Sequence, residues 1–539
     1  MMSFAFDGQK YDYPSRRRVV YAKRGMVCTS QPLAAQAGLT ILQQGGNAVD
    51  AAVATAICMT VLEPTSNGLG SDAFALVWIK DKLYGLNGSG YAPKNLTAEA
   101  LAKQGVTDKI PYRGWQSVNI PGAVSAWAEL HKRFGRLPFA KLCEPAIYYA
   151  EEGYPLSPLI QQLWSESVEL FKEFKDKKEF GGWFPTFAPQ GKAPEVGELV
   201  KLPYHGKTLR QIAESCGEAF YRGTVADKIV EFSQATGGFI SKEDLANYRA
   251  EWVEPLHTEY RGYDVWEIPP NGQGMTVLMA LNILKGFDFA EKECSDTYHK
   301  QIEAMKLAFA DTMEYVTDPR YMQTKVEDML SDEYASARRS LIGDKALEPK
   351  PGSPFSGGTI YLCTADNEGN MVSLIQSNYK GFGSGIVVPE TGIALNDRAS
   401  GFSLNPASDN YLQPWKKPYH TIIPGFLTKN GRAVGPFGVM GEYMQPQGQL
   451  QVVMDTVDFL MNPQNALDAP RWQWIEGKRI QVEDGVPDDI VEELRRRGHD
   501  ITVMSDYTSF GRGQIIWRDE NGVLAGATEP RTDGTVAAW

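Results

Sequence analysis

Lys350-Pro351-Gly352-Ser353-Pro354-Phe355-Ser356-Gly357-Gly358-Thr359-Ile360-Tyr361-Leu362-Cys363 sets a loop directly against a strand. The part ending at Gly358 carries two Pro and three Gly and reads as exposed, turn-rich chain, whereas Ile360–Cys363 demands burial in a sheet. Thr359 stands at the junction. A hydroxyl there can attack the carbonyl of Gly358, which moves the acyl group from nitrogen to oxygen. Hydrolysis of that ester leaves Thr359 with a free α-amine. Such an amine has an unperturbed pKa of about 7.7 to 8.0, so it can act as base for its own hydroxyl. That chemistry cleaves amides without a catalytic His or a metal. Alone, Gly-Gly-Thr is a weak signal in a chain with 52 Gly, so its surroundings decide the reading.

Downstream, Thr359 to Asp366 and Met371 to Asn378 are apolar runs joined by Asn367-Glu368-Gly369-Asn370, a hairpin pattern. Pairing about that turn brings Ser377 and Asn378 opposite Thr359, within one residue of register. Gln514 to Arg518 and Val523 to Ala527 flank Asn521-Gly522 in the same way, so the C-terminal third reads as sheet-rich. Upstream, Gln31 to Gln44 predicts a helix stopped by Gly45-Gly46-Asn47, and Asn47 is placed to cap the Ala-rich helix that follows. That second helix, Ala48 to Leu62, is too short to span a membrane and is interrupted by Asp50; it reads as buried. Leu76 to Leu86 predicts a hairpin turning at Lys80 to Lys82, and Pro121 opens a helix through Arg133. Ser295 to Tyr315 predicts a helix with Ile302, Met305, Phe309 and Met313 along one face, a core stripe. Between Lys141 and Gly286 the pattern reads as helices mixed with loops, with no clean linker.

The chain has 539 residues, 43% of them hydrophobic and 22% charged, as expected of a globular protein with a sizeable core. A net charge of −12 argues against nucleic acid or anionic membrane as partners, since both require a basic face. Six scattered Cys without a C-x-x-C fit reduced thiols, and the six His are equally dispersed, so no metal or phosphate motif emerges. Arg16-Arg17-Arg18 is not followed by the apolar segment a secretory signal needs, which leads to the expectation of a cytoplasmic protein.

Several segments together resemble the γ-glutamyltransferase family of N-terminal-nucleophile hydrolases. They are Gly45-Gly46-Asn47-Ala48-Val49-Asp50-Ala51-Ala52, Phe220-Tyr221-Arg222-Gly223, Ser241-Lys242-Glu243-Asp244-Leu245, Tyr260-Arg261-Gly262-Tyr263 and Pro269-Pro270. The likeness runs from about Gly25 to the C-terminus. It places Thr359, ahead of Asp366 and Gly369, on the family's processing threonine. It implies an α+β fold, a four-layer αββα sandwich made from one precursor cut between Gly358 and Thr359. Residues 1–358 would form a large subunit and 359–539 a small one, intertwined as a heterodimer that is open to further pairing. The resemblance also gives Ser377 the role of orienting the nucleophile and puts Gly441, followed by Glu442, at the paired-glycine oxyanion site. No cofactor is implied.

The sequence departs from the γ-glutamyl enzymes where they grip their substrate. Ser89 stands where they carry an Arg for the α-carboxylate, and Gly401 where they carry an Asp for the α-amine. His420 and Thr421 replace paired serines, Arg398 appears where a neutral side chain is usual, and Asn378-Tyr379 follows the orienting Ser377. Loss of charge-assisted hydrogen bonds worth about 1.5 to 3 kcal/mol each disfavours glutathione. A small anionic amide whose carboxylate pairs with Arg398 fits better; oxamate is the simplest, hydrolysed to oxalate and ammonia. His420-Thr421-Ile422-Ile423-Pro424-Gly425-Phe426 and Met444-Gln445-Pro446-Gln447-Gly448 resemble the family's oxamate amidohydrolase branch, which acts in purine breakdown. Two alternatives stand beside this one: a γ-glutamyl hydrolase or transferase with a rearranged clamp, and an uncleaved pseudoenzyme that only binds a metabolite.

Overall fold

A computed structural model describes residues 17–349 and 359–539. Residues 350–358, with Gly358 and the loop expected ahead of Thr359, lie outside the described residues.

Two seven-stranded antiparallel sheets lie face to face between layers of helix. One runs, in spatial order, Thr535–Ala538, Gly25–Thr29, Ile360–Asp366, Met371–Ser377, Asp72–Ile79, Lys82–Gly88 and Glu251–Val253. The other runs Val20–Ala22, Leu524–Thr528, Arg512–Arg518, Arg432–Met440, Gly425–Lys429, Tyr263–Glu267 and Leu256–Tyr260. Strand alternation explains the layering, because successive side chains point to opposite faces. Ile360, Leu362, Val372 and Leu374 pack outward against the Ala-rich helix Ala48–Leu62. Tyr361, Cys363, Met371 and Ile375 point inward and meet Phe426, Met440 and Ile516 of the second sheet. That sheet's outer face, with Leu427, Phe437, Val439 and Ile515, is covered by helices Gly274–Leu284, Ser295–Tyr315 and Met444–Val457. The layers are therefore αββα, the arrangement that the resemblance implied.

Most expected elements are present. Helix Pro32–Gln43 is followed by Ala48–Leu62, whose Asn47 cap accepts from Asp50 N at 2.9 Å while Asp50 accepts from Asn47 N at 3.1 Å. Every residue of the second helix is buried. The Leu76–Leu86 hairpin extends to Asp72–Ile79 and Lys82–Gly88, with left-handed Lys80 and Asp81 making a two-residue turn. Ser295–Tyr315 is one helix, and Ile302, Met305 and Phe309 are fully buried. The stretch read as helices and loops between Lys141 and Gly286 needs correction: it also supplies Glu251–Val253, Leu256–Tyr260 and Tyr263–Glu267. Glu251–Val253 and Leu256–Tyr260 finish the two sheets at their edges, with Tyr263–Glu267 next to the second edge, where pairing to a neighbour outweighs weak intrinsic strand propensity.

Asp50 does more than complete a cap. Its carboxylate also accepts from Arg136 N at 3.0 Å and Leu137 N at 3.2 Å, tying this helix to the end of helix Ala123–Phe134. Asp50→Ala should therefore lower stability by about 3 kcal/mol, since several bonds to one buried charge are lost together. The check is a fall in the urea midpoint with an unchanged slope.

Candidate active site

Parity along the strand decides where Thr359 faces. Residues 361 and 363 point between the sheets, so Thr359, one step before Ile360–Asp366, points there too. Ile360 pairs with Gln376, and continuing that register sets Thr359 opposite Ser377. Thr359 Oγ1 lies 3.1 Å from Ser377 Oγ, both residues fully buried. Ser377 Oγ also accepts from Tyr379 N at 2.8 Å, which fixes its rotamer. On the other side Ser377 pairs with Asp72.

After Ser377 the chain leaves the sheet through left-handed Tyr379, Phe382 and Gly383. Asn378 accepts from Ser71 Oγ at 2.9 Å on Oδ1, while its Nδ2 is buried without a partner among the described residues. Arg113 holds the loop by donating to the carbonyls of Gly381, at 2.8 Å, and Gly383. Lys380 Nζ reaches Glu442 Oε2 at 2.7 Å. Gly441 and Glu442 both have positive φ, 136° and 51°. Left-handed geometry at a non-glycine costs roughly 1 to 2 kcal/mol, so Glu442 needs holding. Lys380 holds its carboxylate, and Gln273 Nε2 donates to its carbonyl at 2.7 Å and also to Thr421 O.

Arg398 sits in a short 3-10 turn, Arg398–Gly401, and is 2% exposed. Its Nη1 donates to Thr421 Oγ1 at 2.9 Å, and its guanidinium carbon lies 4.8 Å from the Tyr379 ring centre. Nε and Nη2 have no hydrogen-bond partner among the described residues. The adjacent Asp397 is not paired with it; Asp397 instead accepts from Lys380 N at 3.0 Å. His420 is fully buried, with Nε2 3.0 Å from Asp72 Oδ2 and Nδ1 accepting from Ile422 N at 3.4 Å. That pattern puts the proton on Nε2. Ser89 donates to Asn87 Oδ1 at 2.7 Å and Asn271 Oδ1 at 3.2 Å, and Asn271 O accepts from His420 N at 2.9 Å.

Thus Thr359, Ser377, Asn378 and Tyr379 share one strand end, Arg398, Thr421, Lys380 and Glu442 form the charged wall beside it, and His420 and Ser89 lie in a hydrogen-bonded layer behind. Asp72, Lys380, Gln273 and Arg113 were not singled out from sequence. Lys380 directly follows Tyr379 and Asp72 follows the Gly68-Leu69-Gly70-Ser71 turn, so adjacency offered a signal for both; Gln273 and Arg113 offered none.

Burial dominates the electrostatics. It pushes the carboxyl groups of Glu442 and Asp72 up to about 7, against the opposing pull of Lys380 on the first and Arg398 on the second. Asp397 is raised to about 6 for the same reason, with Arg113 opposing. Burial, then Arg398 and Lys417, hold His420 well below its ordinary value, so the ring is neutral. A carboxyl with a raised folded pKa binds its proton more tightly in the folded than in the unfolded state. Its contribution is complete below the unfolded value of 4.5 and is lost as pH rises through about 7. Glu442→Gln should flatten this loss, each pKa unit being worth about 1.4 kcal/mol. Urea midpoints of variant and wild type should converge near pH 4.5 and separate, with the variant more stable, toward pH 7.

Among the described residues one further group has ligand-like spacing: His299, Glu303 and His499. Lys306 Nζ already occupies Glu303 Oε1 at 2.7 Å, and Lys306, Arg497 and Lys478 make the rings' surroundings positive, which disfavours a cation. The group works as an anchor instead. His299 Nε2 meets Gly343 O at 2.8 Å, and Leu347 N donates to Glu303 Oε2 at 3.0 Å.

Comparison with known proteins places this geometry. A crystal structure of cephalosporin acylase from Bacillus halodurans is 62% identical, with a TM-score of 0.96 over 99% of each chain. The glutathione hydrolase-like YwrD proenzyme of Bacillus subtilis (strain 168) is 36% identical over 96% of this chain and 98% of its own length. The oxamate amidohydrolase proenzyme of Klebsiella pneumoniae subsp. pneumoniae is 33% identical over the same shares, 96% and 98%. No helix among the described residues is long and apolar enough to cross a membrane. With the family profile described as Gamma-glutamyltranspeptidase matching residues 34–539, the chain belongs to the gamma-glutamyltranspeptidase family and is an amide hydrolase of the N-terminal-nucleophile class.

Proposed function

We propose that the chain is a precursor that cuts itself between Gly358 and Thr359, giving a heterodimer of 1–358 and 359–539 that hydrolyses the amide of a short, carboxylate-bearing acyl group. Thr359 Oγ1 attacks the amide carbonyl, and the new α-amine takes its proton and delivers it to the departing amine. Ser377 orients the hydroxyl at 3.1 Å. The N–H groups of Gly441 and Glu442 stabilise the oxyanion. Water then resolves the acyl-enzyme, and no metal or organic cofactor takes part.

The observation that carries the substrate class is the Arg398 fork. A buried guanidinium with Nε and Nη2 open is costly unless something accepts from both. A carboxylate matches that edge bidentately. Tyr379, Thr421 and Asn378 frame the place where it would lie, and the neutral His420–Asp72 pair forms the rear. The γ-glutamyl alternative is disfavoured at two positions. The Ser89 hydroxyl is engaged by Asn87 and Asn271. A side chain begun at Gly401 would start 3.0 Å from Tyr419 O. Both amino-acid anchors would have to be rebuilt elsewhere.

Oxamate is the simplest substrate of this class and the named substrate of one relative. The test is ammonia release from oxamate by the mature protein, compared with release of aniline dye from a γ-glutamyl anilide. Faster turnover of oxamate is expected. Cleavage of the γ-glutamyl compound alone would overturn the acyl assignment.

A further inference from the structure

The second oxyanion position is held from outside its own turn. Gly441 O accepts from Met444 N at 2.8 Å, and Glu442 O accepts from Gln445 N at 3.2 Å and from Gln273 Nε2, so both carbonyls of the turn are tied down. The Glu442 N–H, opposite the Gly441 carbonyl in a trans peptide, donates to nothing among the described residues and is open to a reacting oxygen. Its direction depends on conformation. A φ of 51° suits a glycine, and a glutamate leaves that region unless something fixes its side chain.

Lys380 does the fixing. At 2.7 Å its Nζ is the only donor to the Glu442 carboxylate among the described residues, and the other oxygen, Oε1, has none. The Glu442 side chain is fully buried and that of Lys380 is 10% exposed, so water cannot take the place of the ammonium. A buried carboxylate stripped of its one partner is strongly unfavourable. The ammonium is itself constrained, 5.0 Å from the Tyr112 ring centre and 5.1 Å from that of Tyr379. Lys380 N donates to Asp397 Oδ1 at 3.0 Å, and Lys380 O accepts from Gly383 N at 2.6 Å. Ser377, whose Oγ meets Thr359 Oγ1, stands three residues earlier where the chain leaves the sheet. One short segment therefore reaches both the attacking oxygen and the turn that would receive the developing charge.

We propose that Lys380 is a positioning residue for the oxyanion donor: its charge and the Glu442 side chain form a unit that replaces a glycine at position 442 and ties that N–H to the segment carrying Ser377. The inference rests on the amide-hydrolase reading and deepens it, giving a role to a cation that neither attacks nor leaves. Without the ammonium, Glu442 relaxes toward negative φ and turns its N–H out of the site. With glycine at 442 the left-handed turn needs no ammonium.

A double-mutant cycle on the mature protein, read with the chromogenic amide N-(4-nitrophenyl)oxamate, tests the unit. Lys380→Met keeps the stem between the two rings and removes the charge. It should lower kcat about a hundredfold, as loss of one oxyanion donor does, with KM little changed. In a Glu442→Gly background the same substitution should change kcat by less than about threefold, because the partner through which it acts is gone. Urea midpoints check that each variant is folded. Hydrogen exchange reads the hold without turnover: amides of a peptide spanning residues 439–444 should exchange faster in Lys380→Met than in the wild type, with the rest of the sheet unchanged. If the wild type hydrolyses only a γ-glutamyl anilide, the acyl assignment fails, and the cycle read on that compound decides the role of Lys380 by itself. An equal fall in kcat in both backgrounds, a rise in KM that survives Glu442→Gly, or unchanged exchange in Lys380→Met overturns the proposal.

Discussion

Thr359→Ala should give a single band at 59.7 kDa on a denaturing gel and no measurable turnover of any amide. The substitution removes the attacking oxygen of both reactions, self-cleavage and hydrolysis, and without the cut it also denies the site its α-amine. A residual rate is not expected, because no His is placed to serve as base: His420 is neutral, fully buried and committed at both ring nitrogens. Ser377 cannot stand in, since Tyr379 N donates to its Oγ and holds it as an orienting group. A normally processed Thr359→Ala protein would remove the mechanism.

Arg398→Met should lower kcat/KM for oxamate by about a hundredfold or more. Truncating one member of a buried, hydrogen-bonded charge pair costs roughly 2 to 5 kcal/mol, and here the bond lost would be bidentate. Arg398→Lys should recover only part of the loss, because an ammonium cannot present the same fork. The loss should fall on substrates carrying an acyl carboxylate and leave an uncharged acyl anilide much less affected. Equal loss on both would mean that Arg398 supports the wall, through Thr421 and the ring of Tyr379, rather than the substrate.

How much of this was legible in the chain depends on the range of the interaction. The hairpin of Ile360–Asp366 and Met371–Ser377 could be read because a short turn and strict alternation fix its register, and with it the approach of Ser377 to Thr359. The helix Ala48–Leu62 announced its own cap. The edge strand Glu251–Val253 and the joining of Tyr263–Glu267 to its sheet were not legible, since those pairings are decided by partners far along the chain. In the site, Arg398 was visible as a cation out of pattern, but its open fork depends on Asp397 turning toward Lys380. Gln273 and Arg113 were hidden altogether; a lone Gln or Arg carries no spacing signal, and only folding brings them against Glu442 and Gly381.

The strand order has a last consequence. In one sheet Ile360–Asp366 and Met371–Ser377 are clamped between Gly25–Thr29 and Asp72–Ile79, while in the other Gly425–Lys429 through Leu524–Thr528 lie between Val20–Ala22 and Tyr263–Glu267. Neither side of position 359 owns a whole sheet. Breaking one peptide bond there would change the covalent count of chains and leave the architecture as it was. Genes for the two pieces, expressed apart, would yield proteins with raw strand margins that seek any partner. In a chain cut there, covalent continuity would be an assembly aid, needed while the sheets form and dispensable afterwards.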